Sequence, residues 1–170
     1  MTIRRESATD TSDREIRLSR VFDAPRSLVF DAWTDPVQVV QWWGPEGFMT
    51  TILEMDVRPG GIWRFIMHAP DGVDFPNRVI FKEIVRPELL VYVHGTGIDE
   101  DGFEDFSVTV TFADRGGKTE LTMQSLFATK AGRDKVVREY GAIEGGKQHL
   151  AQLAEYLATQ EQLFDDGYLR

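Results

Sequence analysis

The sequence contains no cysteine. That removes disulfides, thiolate metal sites and cysteine nucleophiles together, and nothing ties the chain to an oxidising compartment, so a cytoplasmic setting is expected. Histidine is scarce. His68, His94 and His149 fall in different predicted elements, without the helical i, i+4 spacing beside a carboxylate that a metal site uses. Neither a metal nor a cofactor is expected. No stretch approaches the roughly 20 apolar residues of a membrane helix. The first 13 residues have no apolar run and read as a polar tail, neither signal peptide nor anchor. Basic residues are in deficit, 19 Lys and Arg against 28 Asp and Glu, and the net charge of −9 repels a phosphate backbone. Nucleic acid is not an expected partner. No G-x-S-x-G motif occurs, which leaves nucleophilic hydrolysis without support.

What is present is the composition of one globular domain, 170 residues with 42% hydrophobic side chains, enough to bury a core without staples. Ile16, Leu18 and Phe22 alternate along a first strand, Glu15 to Asp23, interrupted on that face by Arg20. A charge there calls for an edge position, a bulge, an acidic neighbour or a ligand anion. Pro25 opens a helix with Leu28, Val29, Ala32 and Trp33 on one face, and Asp35-Pro36 caps a second short helix expected to reach Trp43. Strands follow at Met49–Val57, Ile62–His68, Arg78–Val85, Leu89–Gly95, Phe106–Phe112 and Thr119–Ser125, separated by Gly, Pro and Asp turns. A helix is expected over Lys130–Tyr140. A last, longer one carries Ile143, Gly146, Leu150, Leu153 and Leu157 on one stripe. The pair Gly145-Gly146 weakens that helix by about 1 kcal/mol each relative to Ala, which suggests close packing, a kink or reserved space.

A meander with one apolar face needs a cover, and the last helix supplies it. The fold class expected is therefore α+β: a curved antiparallel sheet wrapped around a long C-terminal helix, with two short helices after the first strand. The domain is expected over residues 14–159, between tails at 1–13 and 160–170. A sheet gripping one helix leaves a gap, and ligand sites of that kind are apolar cavities of about 300–1,000 Å³ with a few polar groups.

Particular runs carry a resemblance to a known family. They are Arg20-Val21-Phe22-Asp23-Ala24-Pro25 with Val29-Phe30, Ala32-Trp33-Thr34-Asp35-Pro36, Trp42-Trp43-Gly44-Pro45 with Phe48, Asp56-Val57-Arg58-Pro59-Gly60-Gly61 with Trp63-Arg64, and Pro70-Asp71-Gly72. With the closing segment Gly141–Leu157, this pattern resembles the START-like or SRPBCC superfamily, in the branch similar to the C-terminal domain of the activator of the heat-shock protein 90 ATPase. The resemblance covers residues 15 to about 158 and implies the helix-grip fold and a cavity that in various relatives holds hydrophobic molecules.

Three functions follow as expectations. The first is binding of a small hydrophobic or amphipathic molecule between the sheet and the stripe Gly146, Leu150 and Leu153. Trp43, Phe48, Trp63, Phe65, Met67, Phe106 and Met123 would form the walls, with His94 or His149 as polar orienters. The second is a chaperone-related or stress-related protein-interaction module, which predicts an exposed apolar patch. The third is a cofactor-free cyclase, isomerase or hydrolase in the same pocket, for which no catalytic residue is singled out; Glu46, Glu54 and Glu83 show no pairing in their spacing. His149 lies beside Leu150 and is expected at the helix edge, and Trp42 and Trp43 serve as a staple or a pocket rim. Exposed strand edges offer a route to a homodimer.

Overall fold

The computed structural model describes residues 10–98 and 104–165, with side chains described as far as residue 160. Seven strands form one antiparallel sheet: β1 (Glu15–Phe22), β2 (Met49–Met55), β3 (Ile62–His68), β4 (Asp74–Val85), β5 (Leu89–Gly95), β6 (Phe106–Arg115) and β7 (Lys118–Leu126). Their spatial order is β1-β7-β6-β5-β4-β3-β2. Between β1 and β2 lie α1 (Arg26–Thr34) and α2 (Pro36–Val39), and after β7 come α3 (Lys130–Tyr140) and α4 (Ala142–Asp165).

The inward side chains follow the period of two. Trp63 and Phe65 on β3, Val79 and Phe81 on β4, Leu90 and Tyr92 on β5, Val108, Val110 and Phe112 on β6, and Leu121 on β7 are all buried. The pairing slips by one residue between Ile52 and Glu54 on β2 and between Phe81 and Glu83 on β4. Such bulges add local twist and bend the sheet about its cover. That cover is α4, whose buried residues are His149, Leu150, Leu153 and Tyr156.

Several expectations are refined. β4 begins at Asp74, four residues before Arg78, although Pro76 lies inside it. Residues 74–77 pair with β3 only, because the ladder to β5 starts at Arg78 opposite Gly95. That stretch is locally an edge, where a missing N–H is tolerated. α2 stops at Val39, and the chain reaches Trp43 through tight turns in which the Trp42 and Trp43 N–H groups both donate to the Val39 carbonyl. The last helix continues beyond residue 159, where the sequence suggested a tail, to Asp165. The proposed N-terminal tail falls largely outside the described residues. Arg20 is exposed on the edge strand β1, its guanidinium 5.9 Å from the centre of the Phe22 ring. The interruption is an edge position. Among the described residues no helix is long and apolar enough to cross a membrane.

Candidate functional site

The space between the sheet and α4 is divided by an aromatic plug. Trp33 from α1 and Trp42 and Trp43 from the loop after α2 contact one another edge-on or tilted, with ring centres 5.1–5.6 Å apart. The Trp42 indole N–H donates to the Ala32 carbonyl at 3.0 Å, which ties that loop to α1. Trp43 lies 4.7 Å from Trp63 and 5.8 Å from Phe65. The plug thereby seals one end of the concave face into solid core, together with Leu150 and Leu153.

The other end is open. A chamber of about 270 Å³ lies under the N-terminal turns of α4, bounded by β1, β3, β5, β6 and β7 and closed by α3. Ile16, Leu18, Met67, Phe106, Val108, Met123 and Phe127 form most of its apolar wall, and Gly145, Gly146 and His149 form its roof. Pro45, Met67 and Tyr140 also border an outer chamber of about 350 Å³ lined by Phe48, Phe75, Pro76, Asn77, Thr96 and Ile98. The two chambers adjoin at Pro45, Met67 and Tyr140. The helix can pass close over the inner chamber because Gly146 has no Cβ; one added there would overlap the Leu18 Cδ1 methyl. The paired glycines of the sequence thus occupy the point where α4 roofs the cavity.

No Asp, Glu, Lys or Arg among the described residues borders either chamber. The polar side chains of the inner one are Tyr92, His94, Ser125, Tyr140 and His149. His149 is buried among the three indoles, its ring centre 4.3 Å from that of Trp43. Its Nδ1 accepts a hydrogen bond from the Gly44 N–H at 3.0 Å. Burial, and secondarily the charge that His94 would carry if protonated, holds the His149 pKa down to about 3. His94 is partly buried and borders the chamber, with ring contacts to Phe65, Tyr92 and Phe106. Its Nε2 lies 2.8 Å from Asn77 Oδ1, and burial lowers its pKa to about 4. Burial also raises the pKa of the Tyr92 phenol. At neutral pH every one of these three groups is uncharged. Among the described residues no carboxylate borders the inner chamber, so neither imidazole has there the orienting acidic partner found in hydrolytic triads.

Of the residues singled out in the sequence, Trp43, Met67, His94, Phe106, Met123, Gly146 and His149 border the inner chamber and Phe48 borders the outer one. Trp63, Phe65, Leu150 and Leu153 do not. They face inward as expected, but the Trp plug fills the space above them, so they are core and not wall. His149 is buried in the roof and not at a helix edge. Trp42 is a staple, and Trp43 is both staple and wall. Sequence reasoning missed Tyr92 and Ser125, although a signal existed: each stands two positions from a chosen residue, His94 and Met123, and so shares its face of the strand. Glu46, Glu54 and Glu83 border neither chamber. His68, the third histidine, sits on the exposed side, bonded to Thr51 and Asp74.

A curved seven-stranded sheet, a roofing helix and an internal apolar cavity define a small helix-grip domain. The chain belongs to the family of activator of Hsp90 ATPase homolog 1-like proteins, which matches residues 23–158. Among solved structures, a protein from Chromobacterium violaceum is similar at 29% identity over 84% of this chain and 95% of that one, with a TM-score of 0.73. A protein from Arthrobacter aurescens superposes with a TM-score of 0.81 at 25% identity, covering 89% of this chain and 90% of that one. An AHSA1 protein from Silicibacter pomeroyi shares the fold at 23% identity and a TM-score of 0.71, over 86% of this chain and 99% of that one. No curated protein matches the sequence.

Proposed function

We propose that this protein binds a small hydrophobic or amphipathic molecule in the cavity between the sheet and α4. The observation that carries the reading is the pair of adjoining chambers, bordered by no charged side chain among the described residues, of which the inner is apolar except for a few neutral hydrogen-bonding groups. Two helix-weakening glycines stand where the roof crosses it. An apolar ligand would gain roughly 25 cal/mol for each Å² of apolar surface it buries there.

The test is native mass spectrometry of the protein purified from its own host, followed by extraction and identification of bound material. A stoichiometric small molecule is the expected result. An apo mass, with no thermal shift across a panel of hydrophobic ligands, would sink the reading.

A second reading is a protein-interaction module similar to the activator of the Hsp90 ATPase. Family membership supports it, as does a separate surface groove of about 720 Å³ between the α1–α2 region and α4, where Leu28 and Val37 are exposed. A cofactor-free enzyme in the same cavity is the weakest reading, because no carboxylate among the described residues lines it and its histidines are poor bases.

A further inference from the structure

The two cavity histidines are held in the same Nε2-protonated tautomer but leave opposite ring nitrogens unbonded. His149 Nδ1 accepts from the Gly44 backbone N–H, so the ring proton sits on Nε2. His94 is set by a relay of two bonds. The Asn77 amide nitrogen donates to the Phe75 carbonyl at 2.9 Å, which turns Asn77 Oδ1 toward His94 and makes His94 Nε2 the donor at 2.8 Å. These assignments follow from the hydrogen-bond network. They leave His149 with a free N–H at Nε2 and His94 with a bare lone pair at Nδ1. Among the described residues, the buried side-chain nitrogens and oxygens without a partner are the Trp33 and Trp63 indole nitrogens. Neither free histidine nitrogen is sealed in, therefore, and both rings border the inner chamber.

We propose that the buried end of the ligand is an uncharged group that both accepts and donates a hydrogen bond, a phenolic or alcoholic hydroxyl, held between His149 Nε2–H and His94 Nδ1. This rests on the reading of the cavity as a binding site and adds the chemistry of its occupant. Charge is disfavoured because an ionised group would be stripped of water with no counter-ion among the described residues of either chamber. An acceptor alone, such as an ether, would leave His94 Nδ1 unpaired. A hydroxyl serves both histidines at once, and the Ser125 and Tyr92 hydroxyls on the same wall adapt to either role. The apolar remainder of the molecule would extend past Met67 and Pro45 into the outer chamber.

The test compares four two-ring probes by calorimetric titration: naphthol, methoxynaphthalene, naphthalene and naphthoate. Naphthol should bind about tenfold more tightly than naphthalene or the methyl ether, the worth of one well-made hydrogen bond, and the naphthoate anion should bind weakest. Two near-isosteric variants locate the effect. His149→Asn keeps an oxygen to accept from Gly44 N–H and lacks the Nε2 donor, and His94→Gln keeps a donor toward Asn77 and lacks the Nδ1 acceptor. Each should abolish the roughly tenfold preference for naphthol over naphthalene and the ether measured on the same variant, with naphthalene still bound. If all three neutral probes bind alike and the variants change nothing, the container stands and the hydroxyl assignment falls. Preferred binding of naphthoate would overturn the charge argument. If none of the four binds, the container reading fails and this inference with it.

Discussion

His149 Nδ1 accepts the Gly44 backbone N–H at 3.0 Å across 105 positions of sequence. The bond joins the roof helix to the loop that carries Trp42 and Trp43, so one side chain closes the aromatic plug and borders the cavity beside it. Its loss has a stability cost separable from any ligand effect.

Replacing His149 by Ala should destabilise the protein by about 3 kcal/mol, because it strands a buried N–H and opens a void among three indoles. His149→Asn, which keeps an acceptor, should cost clearly less. Urea denaturation of the two variants checks the order, and equal costs would show that the Gly44 bond contributes nothing.

Acid should weaken the fold earlier than its carboxylates do. The folded pKa values of His94 and His149, about 4 and about 3, lie below the ordinary 6.5, so the unfolded chain binds more protons in between. The stability they contribute is complete above about pH 6.5 and declines as pH falls, by up to about 1.4 kcal/mol per pH unit for each histidine. Glu15, held low chiefly by the Thr11 hydroxyl and then by Gln124, acts only below the ordinary carboxylate value of 4.5. Chemical denaturation at pH 7, 6 and 5 should therefore show falling stability, with a shallower slope in His149→Asn; a flat profile would mean that the histidines are not buried neutral.

The adjacent roof glycines should respond differently to alanine. At Gly145 a Cβ would meet Pro45 Cγ at an ordinary 3.7 Å, so Gly145→Ala should gain about 1 kcal/mol of helix stability. At Gly146 the new methyl must displace Leu18 toward the chamber. Gly146→Ala should therefore be less stable than Gly145→Ala by about 1 kcal/mol or more and should bind cavity probes more weakly. Thermal denaturation and probe titration of both variants decide it.

Two tryptophans offer a comparison in which burial alone misleads. Trp63 is the more completely buried, yet its indole N–H has no partner, whereas the Trp42 N–H is bonded to Ala32. Trp42→Phe should cost about 1 kcal/mol more than Trp63→Phe, since only the former breaks a hydrogen bond. The reverse order would point to a bound water on Trp63.

Much of the architecture is local chemistry and so was legible in the chain. β3, β5 and α3 run between the residues their periodicity indicates, and Asp35 caps α2 by accepting from the Val37 N–H at 3.0 Å. Such signals act between residues a few positions apart. The start of β4 escaped because Pro76 reads as a breaker until one knows that β5 has already ended beside it.

The candidate site divides along the same line. From the alternation on β3, β5, β6 and β7 and the stripe on α4, the sequence by itself determined which side chains share a face, and the packing against α4 decided which face turns inward. Which of those border a cavity was decided by tertiary packing. Trp33, Trp42 and Trp43 converge over Trp63 and Phe65 and turn that half of the interior solid, leaving the void beneath Gly145 and Gly146. The histidine tautomers were decided there too, because Gly44 and Asn77 meet His149 and His94 only in the folded chain. Period sets direction, but volume and hydrogen-bond partners come from segments distant in sequence.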